Sequence, residues 1–226
     1  MRKLIRSSLS IALAALMSVS MMAHAGDAVA EEGSSGVSYN IGYMSEYWYR
    51  GYYQSESSVS FGADVEMGSI YLGTWMADVD KGIEMDIYAG YNFALMGIPM
   101  YLGATGYYYS DNFDGDYEEI NFGADLGWMS IDGAAGDFEP VDGSRDKGYV
   151  HYSLNFPLAM VGLPLDYSYQ TWGGEAVTGH THELSYGTTV SGVDVGLTLG
   201  RNVDTGHTDA NQNDTTYANF SLGYSF

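Results

Sequence analysis

The feature that most constrains the fold is the two-residue alternation of apolar and polar side chains over residues 215–226. Successive side chains of an extended strand point to opposite faces. One face therefore collects apolar residues such as Phe220 and Leu222, and the other collects polar residues such as Asn219 and Ser221. The sequence ends on an aromatic residue of the apolar face, Phe226. Such a last strand predicts a barrel in which it pairs with the first strand, so that no edge stays open.

The first 25 residues carry the features of an export signal rather than of a folded element. A basic start precedes an apolar stretch, and a small-x-small cleavage site closes the segment, as seen in Arg2, Lys3, Arg6 and Ala23-His24-Ala25. The apolar stretch over residues 9–22 is too short for a retained membrane helix, which argues against an uncleaved anchor. We predict a cleaved signal peptide over residues 1–25 and a flexible periplasmic segment over residues 26–36.

The charge balance is strongly acidic, with a net charge of −21 for the whole sequence. Without residues 1–25, five basic residues remain against 29 acidic ones, which gives −24. This balance argues against nucleic acid as a partner, because phosphates need Lys and Arg. It favours cations, although a solvated acidic surface is the alternative. Without cysteine, the chain has neither disulfides nor thiol chemistry, so burial and backbone pairing must hold it together.

Strand signals fill residues 37–226, where no helical periodicity occurs. The cleanest strand covers residues 83–93, and the weakest, rich in Gly and Ala, covers residues 130–138. The first strand is expected over residues 37–50. The pattern predicts about twelve strands, joined alternately by short turns and by longer polar loops, with the loop at residues 78–82 as a short exception. This alternation is typical of bacterial outer-membrane barrels.

Alternation alone does not decide which face points outward, because a soluble barrel or sandwich would turn its apolar faces inward. The aromatic residues, however, gather at the strand ends, as in the two interfacial girdles of membrane barrels. One predicted girdle comprises Tyr91, Phe93, Trp128, Phe156, Tyr224 and Phe226, and the other Tyr47, Tyr49, Tyr107, Tyr109 and Trp172. We therefore predict an all-β, antiparallel, up-and-down transmembrane β-barrel of about 12 strands.

The polar faces of these strands are the main functional signal. The residues predicted to line the lumen are Glu46, Arg50, Asp64, Glu66, Glu84, Asp86, Glu119, Asp125, Asp166, Glu183 and Asp194. Carboxylates lining a pore favour cations. Eight strands enclose a filled interior and sixteen an aqueous channel, so twelve are intermediate. Two hypotheses remain open: a narrow, cation-preferring channel, and a closed interior in which the carboxylates pair with the few basic residues.

Two histidine-containing motifs suggest other chemistry only weakly. His151-x-Ser153-x-Asn155 contains hydrolase residue types, but side chains two apart on a strand stand about 7 Å apart, too far for a nucleophile and its base. His180-x-His182, near Glu183, could hold a transition metal at a loop mouth, although two ligands are few. We predict no catalytic residue, no metal site and no cofactor.

The segments 37–57 and 70–80 carry a family resemblance. Their recognisable elements are Ser45-Glu46-Tyr47, Arg50-Gly51, Gln54-Ser55, Gly73-Thr74-Trp75 and Asp78-Val79-Asp80, and Leu222–Phe226 matches the family's ending. The chain resembles the TorF family of porin-like proteins, also called Gcw_chp. Tyr49 stands where Phe is most common, a change that keeps an aromatic ring. The resemblance implies an outer-membrane β-barrel and supplies no catalytic residues.

Together these observations predict an exported outer-membrane channel for passive diffusion of small solutes. Its expected partners are outer-membrane lipid and lipopolysaccharide, together with small solutes or cations. A barrel with a closed lumen, acting structurally or through its outer loops, is the alternative.

Overall fold

A computed structural model of the chain describes residues 36–203 and 214–226. The predicted signal peptide and residues 26–35 of the predicted periplasmic segment lie outside the described residues, as does most of the predicted last loop, residues 203–214. Gly36, expected in the periplasmic segment, begins the first strand.

Twelve antiparallel strands form a closed barrel, which confirms the predicted fold. In chain order, the strands are β1 (Gly36–Met44), β2 (Tyr47–Tyr49), β3 (Tyr52–Ser55), β4 (Ser58–Met67), β5 (Ile70–Asp78), β6 (Ile83–Leu95), β7 (Ile98–Tyr109), β8 (Asp116–Asp125), β9 (Ser130–Glu139), β10 (Lys147–Pro157), β11 (Asp166–Gly174), β12 (Gly179–Val190), β13 (Val193–Val203) and β14 (Thr216–Ser225). All except β2 and β3 belong to the barrel wall, and β2 and β3 pair only with each other. A short 3-10 helix, Leu158–Val161, lies between β10 and β11.

The barrel closes between β1 and β14, as the terminal strand predicted. Their register runs from Asn40 opposite Ser225 to Met44 opposite Ser221. Tyr39 and Phe226 add two backbone hydrogen bonds of 2.9 Å each, one in each direction. Their rings stack with centroids 5.8 Å apart. The first and last strands are therefore joined by backbone pairing and by an aromatic contact.

Short turns gather at one end of the barrel, which we term the lower end, and longer loops at the upper end. Met96-Gly97 and Ser191-Gly192 are lower turns with positive φ at both residues. Two such residues fit the primed turns that match the twist of antiparallel strands. The upper connections include residues 110–115 and 140–146, and the one at residues 79–82 is short. The predicted alternation holds for most connections, but the lower connection at residues 158–165 is long and contains the 3-10 helix, and the upper connection at residues 175–178 is short.

The barrel wall is apolar outside and polar inside. Ile87, Phe122 and Leu222 point outward with 53%, 40% and 37% of their surface exposed. Inward-facing polar side chains such as Asn121 and Thr198 are buried. This distribution is the reverse of a soluble barrel and fits a wall in contact with lipid. Within the part of the chain that the structure describes, no helix is long and apolar enough to cross a membrane.

The predicted first strand, residues 37–50, is wrong in its second half. β1 ends at Met44, and the chain then leaves the wall to form the hairpin of β2 and β3. The turn of this hairpin lies at Arg50 and Gly51, which both have positive φ. A reversal at these two residues ends the extended strand. Glu46 and Arg50 therefore belong to the hairpin and not to the wall.

Of the two predicted aromatic girdles, the lower one faces outward and the upper one does not. Tyr91, Trp128 and Tyr224 are exposed near the lower end, whereas Tyr107 and Trp172 are buried inside the barrel. Tyr47 belongs to a buried hydrophobic cluster in the upper half of the barrel, and Tyr49 and Tyr109 pack against it. The prediction of an outward-facing upper girdle was wrong because tyrosine and tryptophan carry a polar group that can form hydrogen bonds inside a polar barrel.

Candidate functional site inside the barrel

Residues 45–57, which we term the inner hairpin, fold into the barrel from the junction of β1 and β4. Met44 and Ser58 are paired across these two strands, so the chain leaves and rejoins the wall at one point. β2 and β3 form the two arms of the hairpin. Because the wall is continuous behind it, the hairpin is an insertion into the interior and not part of the wall.

The tip of the inner hairpin fits closely against β12. Gly51 has φ +85, and a Cβ atom at this position would lie 1.9 Å from the Thr181 hydroxyl oxygen. Both the backbone conformation and the close contact require glycine. The tip of the hairpin therefore has one defined position against β12.

Arg50 anchors the hairpin to β8 through a paired contact with Glu119. Its Nη1 and Nη2 atoms each donate to a different oxygen of the Glu119 carboxylate at 2.9 Å. Tyr107 and Tyr149 donate to the same carboxylate at 2.8 and 2.9 Å, and Asn121 donates at 2.6 Å. A bidentate arginine–carboxylate pair is directional, so this contact fixes the tip in position.

Further contacts attach the hairpin to β11, β13 and β14. The indole Nε1 of Trp172 donates to the carbonyl of Arg50, and the amide of Asn202 donates to the carbonyl of Gly51, both at 2.9 Å. Trp48 stacks on Tyr217 with ring centroids 4.1 Å apart and planes 6° apart. Contacts with β8, β11, β13 and β14 show that the hairpin crosses the upper half of the interior.

Two further carboxylates, Glu84 and Asp86, lie on the inward face of β6 beside the hairpin. Both are buried. Tyr109 and Tyr107 are their neighbours on β7, and Trp75 is opposite Asp86 on β5. Unlike Glu119, this pair receives few hydrogen bonds: both oxygens of Glu84 and Oδ1 of Asp86 lack a partner among the described residues.

In the lower half, the inward carboxylates bond to neighbours on the wall. Asp64 accepts hydrogen bonds from Tyr88 and, at 3.3 Å, from Asn40. Asp132 accepts them from Tyr101 at 3.0 Å and from Asn155 at 2.9 Å. Sequence reasoning missed Asp132, although its position on the alternating residues 130–138 was a usable signal, because that strand is rich in Gly and Ala.

The structure distributes the predicted lumen residues over four regions: the upper interior, the lower interior, the base of the hairpin and the lower rim. Arg50, Glu84, Asp86, Glu119 and Glu183 lie in the upper interior, where Glu183 accepts hydrogen bonds from Gln170 at 2.7 Å and Tyr217 at 2.5 Å. Asp64 lies in the lower interior, and Glu46 lies at the base of the hairpin, where it accepts a hydrogen bond of 2.8 Å from Trp48. The residues at the lower rim are Glu66, Asp125, Asp166 and Asp194.

The motif His180-x-His182 does not form a metal site with Glu183. Both histidines share the outer face of β12 with exposed Leu184, and His182 Nδ1 lies 2.7 Å from the hydroxyl of Tyr167. Glu183 points to the inside, because neighbouring residues on a strand face opposite sides. Across the described residues, no group of three or more His, Cys, Asp or Glu side chains is placed to hold a metal ion.

His151, Ser153 and Asn155 share the inner face of β10, as expected for a polar stripe. Ser153 donates to Asp132 at 3.3 Å, and the ring of His151 packs 4.6 Å from that of Trp172. Ser153 and His151 contact different residues, so they are not paired as a nucleophile and its base would be. This arrangement is that of a polar wall.

These features define a twelve-strand membrane-spanning barrel whose upper interior holds an inserted hairpin. Its fold is similar to that of the KdgM porin, with a TM-score of 0.52 and 8% identity, covering 85% of this chain and 98% of that chain. A KdgM porin in complex with disordered oligogalacturonate gives a TM-score of 0.53 and 10% identity, covering 85% and 99%. No match was found among curated proteins.

The chain belongs to the Gcw_chp family, whose model is described as a bacterial protein of unknown function and matches residues 28–225. The Gcw_chp resemblance is thereby confirmed, whereas the TorF name is not part of that description. At 8% and 10% identity, the two porin structures show a shared fold and leave the function to be argued from the interior of this barrel.

Proposed function

We propose that this protein is an outer-membrane channel for passive diffusion of small solutes, and that it prefers cations. The observation that carries the proposal is the sign of the inward-facing charges. Among the described residues, the inward carboxylates include Asp64, Glu84, Asp86, Asp132 and Glu183, whereas the one arginine that reaches the interior, Arg50, is paired with Glu119. An interior with unmatched negative charge attracts cations and repels anions.

The same charges argue against the ligand named for one of the similar barrels. Oligogalacturonate is a chain of sugars that each carry a carboxylate, so it would meet like charges inside this barrel. We therefore expect neutral or cationic small solutes to be the cargo. The barrel would reach the outer membrane after cleavage of residues 1–25 and contact lipid and lipopolysaccharide through its apolar wall.

The alternative function is a structural or surface-interaction barrel with a closed lumen. The inner hairpin favours this alternative, because it crosses the upper interior and is held by contacts with β8, β11, β13 and β14. The two functions share the fold and differ in whether ions pass beside the hairpin.

Conductance of the purified protein in a planar bilayer tests the proposal. With a potassium chloride gradient, we expect discrete conductance steps and a reversal potential on the potassium side. Asp64→Asn together with Asp132→Asn should reduce this preference, whereas Asp142→Asn in the exposed upper loop should leave it unchanged, because that carboxylate lies outside the barrel. A reversal potential on the chloride side would contradict cation preference, and a barrel without conductance would support the closed alternative.

A further inference from the structure

The carboxylates of Glu84 and Asp86 are buried, and most of their oxygens are not accounted for by the protein. Glu84 has 0% and Asp86 4% of its surface exposed. Three of their four oxygens have no hydrogen-bond partner within the described ranges 36–203 and 214–226. A buried carboxylate is costly unless it is hydrogen-bonded or paired with a positive group. These oxygens are therefore available to a bound species.

A third oxygen donor reaches the pair from a different element. Tyr47 belongs to the inner hairpin and has 1% of its surface exposed. Its hydroxyl lies near the Glu84 carboxylate but does not meet the geometry of a hydrogen bond to it or to any other described residue. Oxygens from the wall and from the hairpin thus converge on one buried place. A convergence of unpartnered oxygens from two elements is what a ligand would explain.

Arg50 interacts electrostatically with Asp86, but its guanidinium is already paired with another carboxylate. Arg50 uses Nη1 and Nη2 to bind both oxygens of Glu119 at 2.9 Å. Its charge is thereby matched by a carboxylate that also receives hydrogen bonds from Tyr107 and Tyr149. No positively charged side chain of the described residues forms an ion pair with Glu84 or Asp86.

We propose that Glu84, Asp86 and the Tyr47 hydroxyl form a binding site for a hard divalent cation of the calcium type. Such cations take carboxylate and other oxygen ligands, and a site with two carboxylates leaves room for bound water. A cation held there would join the inner hairpin to β6. The proposal does not depend on the channel function, because the cation would brace the hairpin whether or not solutes pass.

Terbium luminescence on the purified, folded protein in detergent tests the site. The ring of Trp75 lies 5.8 Å from the ring of Tyr47, so excited tryptophan can sensitise a terbium ion bound there. We expect saturable terbium emission that calcium displaces. Replacing both ligands, with Glu84→Gln and Asp86→Asn, should weaken the apparent affinity at least about tenfold, because losing even an outer-shell partner of a metal costs about that much.

A matched control removes two carboxylates elsewhere in the same barrel. Asp166→Asn with Asp194→Asn takes the same charge from the lower rim and should leave the calcium-displaceable emission unchanged. Tyr47→Phe keeps the aromatic ring and removes only the hydroxyl, so it should weaken the affinity a few-fold even if the double variant does not fold. The shift in gel mobility on heating checks folding of each variant.

Two results would overturn the proposal. One is the absence of saturable emission in the wild-type protein. The other is an equal affinity in the wild-type protein and in the folded variants of Glu84, Asp86 and Tyr47. Either result would mean that water or a shared proton satisfies the pair. Conductance measured on the same preparation would separate this outcome from a failure of the proposed channel.

Discussion

The upper and lower halves of the interior use their polar side chains in different ways. In the upper half, Arg50 reaches from the hairpin to Glu119, so the contact spans the interior. In the lower half, Asp132 bonds to Tyr101, Ser153 and Asn155 on neighbouring parts of the wall. The difference shows that the position of the hairpin and the integrity of the wall depend on different residues. Each can therefore be changed without the other.

Removing the inner hairpin should have the largest effect on passage. Replacing residues 46–56 with a short Gly-Ser linker leaves the pairing of β1 with β4 intact, since Met44 and Ser58 still face each other. We expect conductance in a planar bilayer to rise several-fold, because a twelve-strand barrel without an insert has a wider interior. Shortening the exposed upper loop at residues 140–146 serves as the control and should leave conductance unchanged. An unchanged conductance without the hairpin would show that the narrowest point lies in the lower half.

Breaking the anchor of the hairpin should cost stability. Arg50→Ala leaves the Glu119 carboxylate buried without its positive partner, and we expect a loss of about 3–5 kcal/mol in the free energy of unfolding. Arg145→Ala removes an ion pair with Glu175 that is exposed, and the loss there should stay below about 1 kcal/mol. Denaturant unfolding in the same detergent measures both.

The energetic coupling between Arg50 and Glu119 can be tested by comparing the stability of the single and double variants. Adding Glu119→Gln to Arg50→Ala removes the unpaired charge and should recover part of the lost stability. If the double variant were as unstable as the sum of the single ones, the two side chains would not act as a pair.

A smaller effect is expected from the close packing of the lower wall. A Cβ atom at Gly90 would lie 2.2 Å from the hydroxyl of Tyr71, so Gly90→Ala must displace that ring and should cost about 1–3 kcal/mol of stability. The matched change Gly148→Ala meets its nearest atom at 3.7 Å and should stay within about 0.5 kcal/mol of the wild type. Equal unfolding midpoints for the two variants would show that the Tyr71 ring can move aside at little cost in stability.

The wall was predictable from the sequence because its signal is local. Residues 83–93 alternate without interruption, and the structure contains β6 at Ile83–Leu95 with Ile87 outside and Asp86 inside. The terminal strand was predictable for the same reason. Alternation over a few residues sets both the strand and the face on which each side chain lies.

The hairpin was not predictable because its determinants are far apart in the sequence. The run Tyr47-Trp48-Tyr49 fits a strand in the wall as well as a strand inside it, since both are extended. What decides between them is Glu119, whose position 69 residues away no local pattern reveals. Tyr107 was misplaced for a related reason, because period two fixes which residues share a face but not which face meets lipid.

The contacts of the hairpin also bear on the order in which the molecule assembles. Arg50 and its neighbour Gly51 lie early in the chain, yet they bind Trp172 and Asn202 at sequence separations of 122 and 151 residues. Contacts between such distant positions form late, because the intervening chain must first be brought into place. The hairpin can dock only after β11 to β14 are in position. Docking of the hairpin would therefore occur only once the barrel wall is complete. Until that last step, the upper interior of a newly inserted copy would be wider than in the finished molecule.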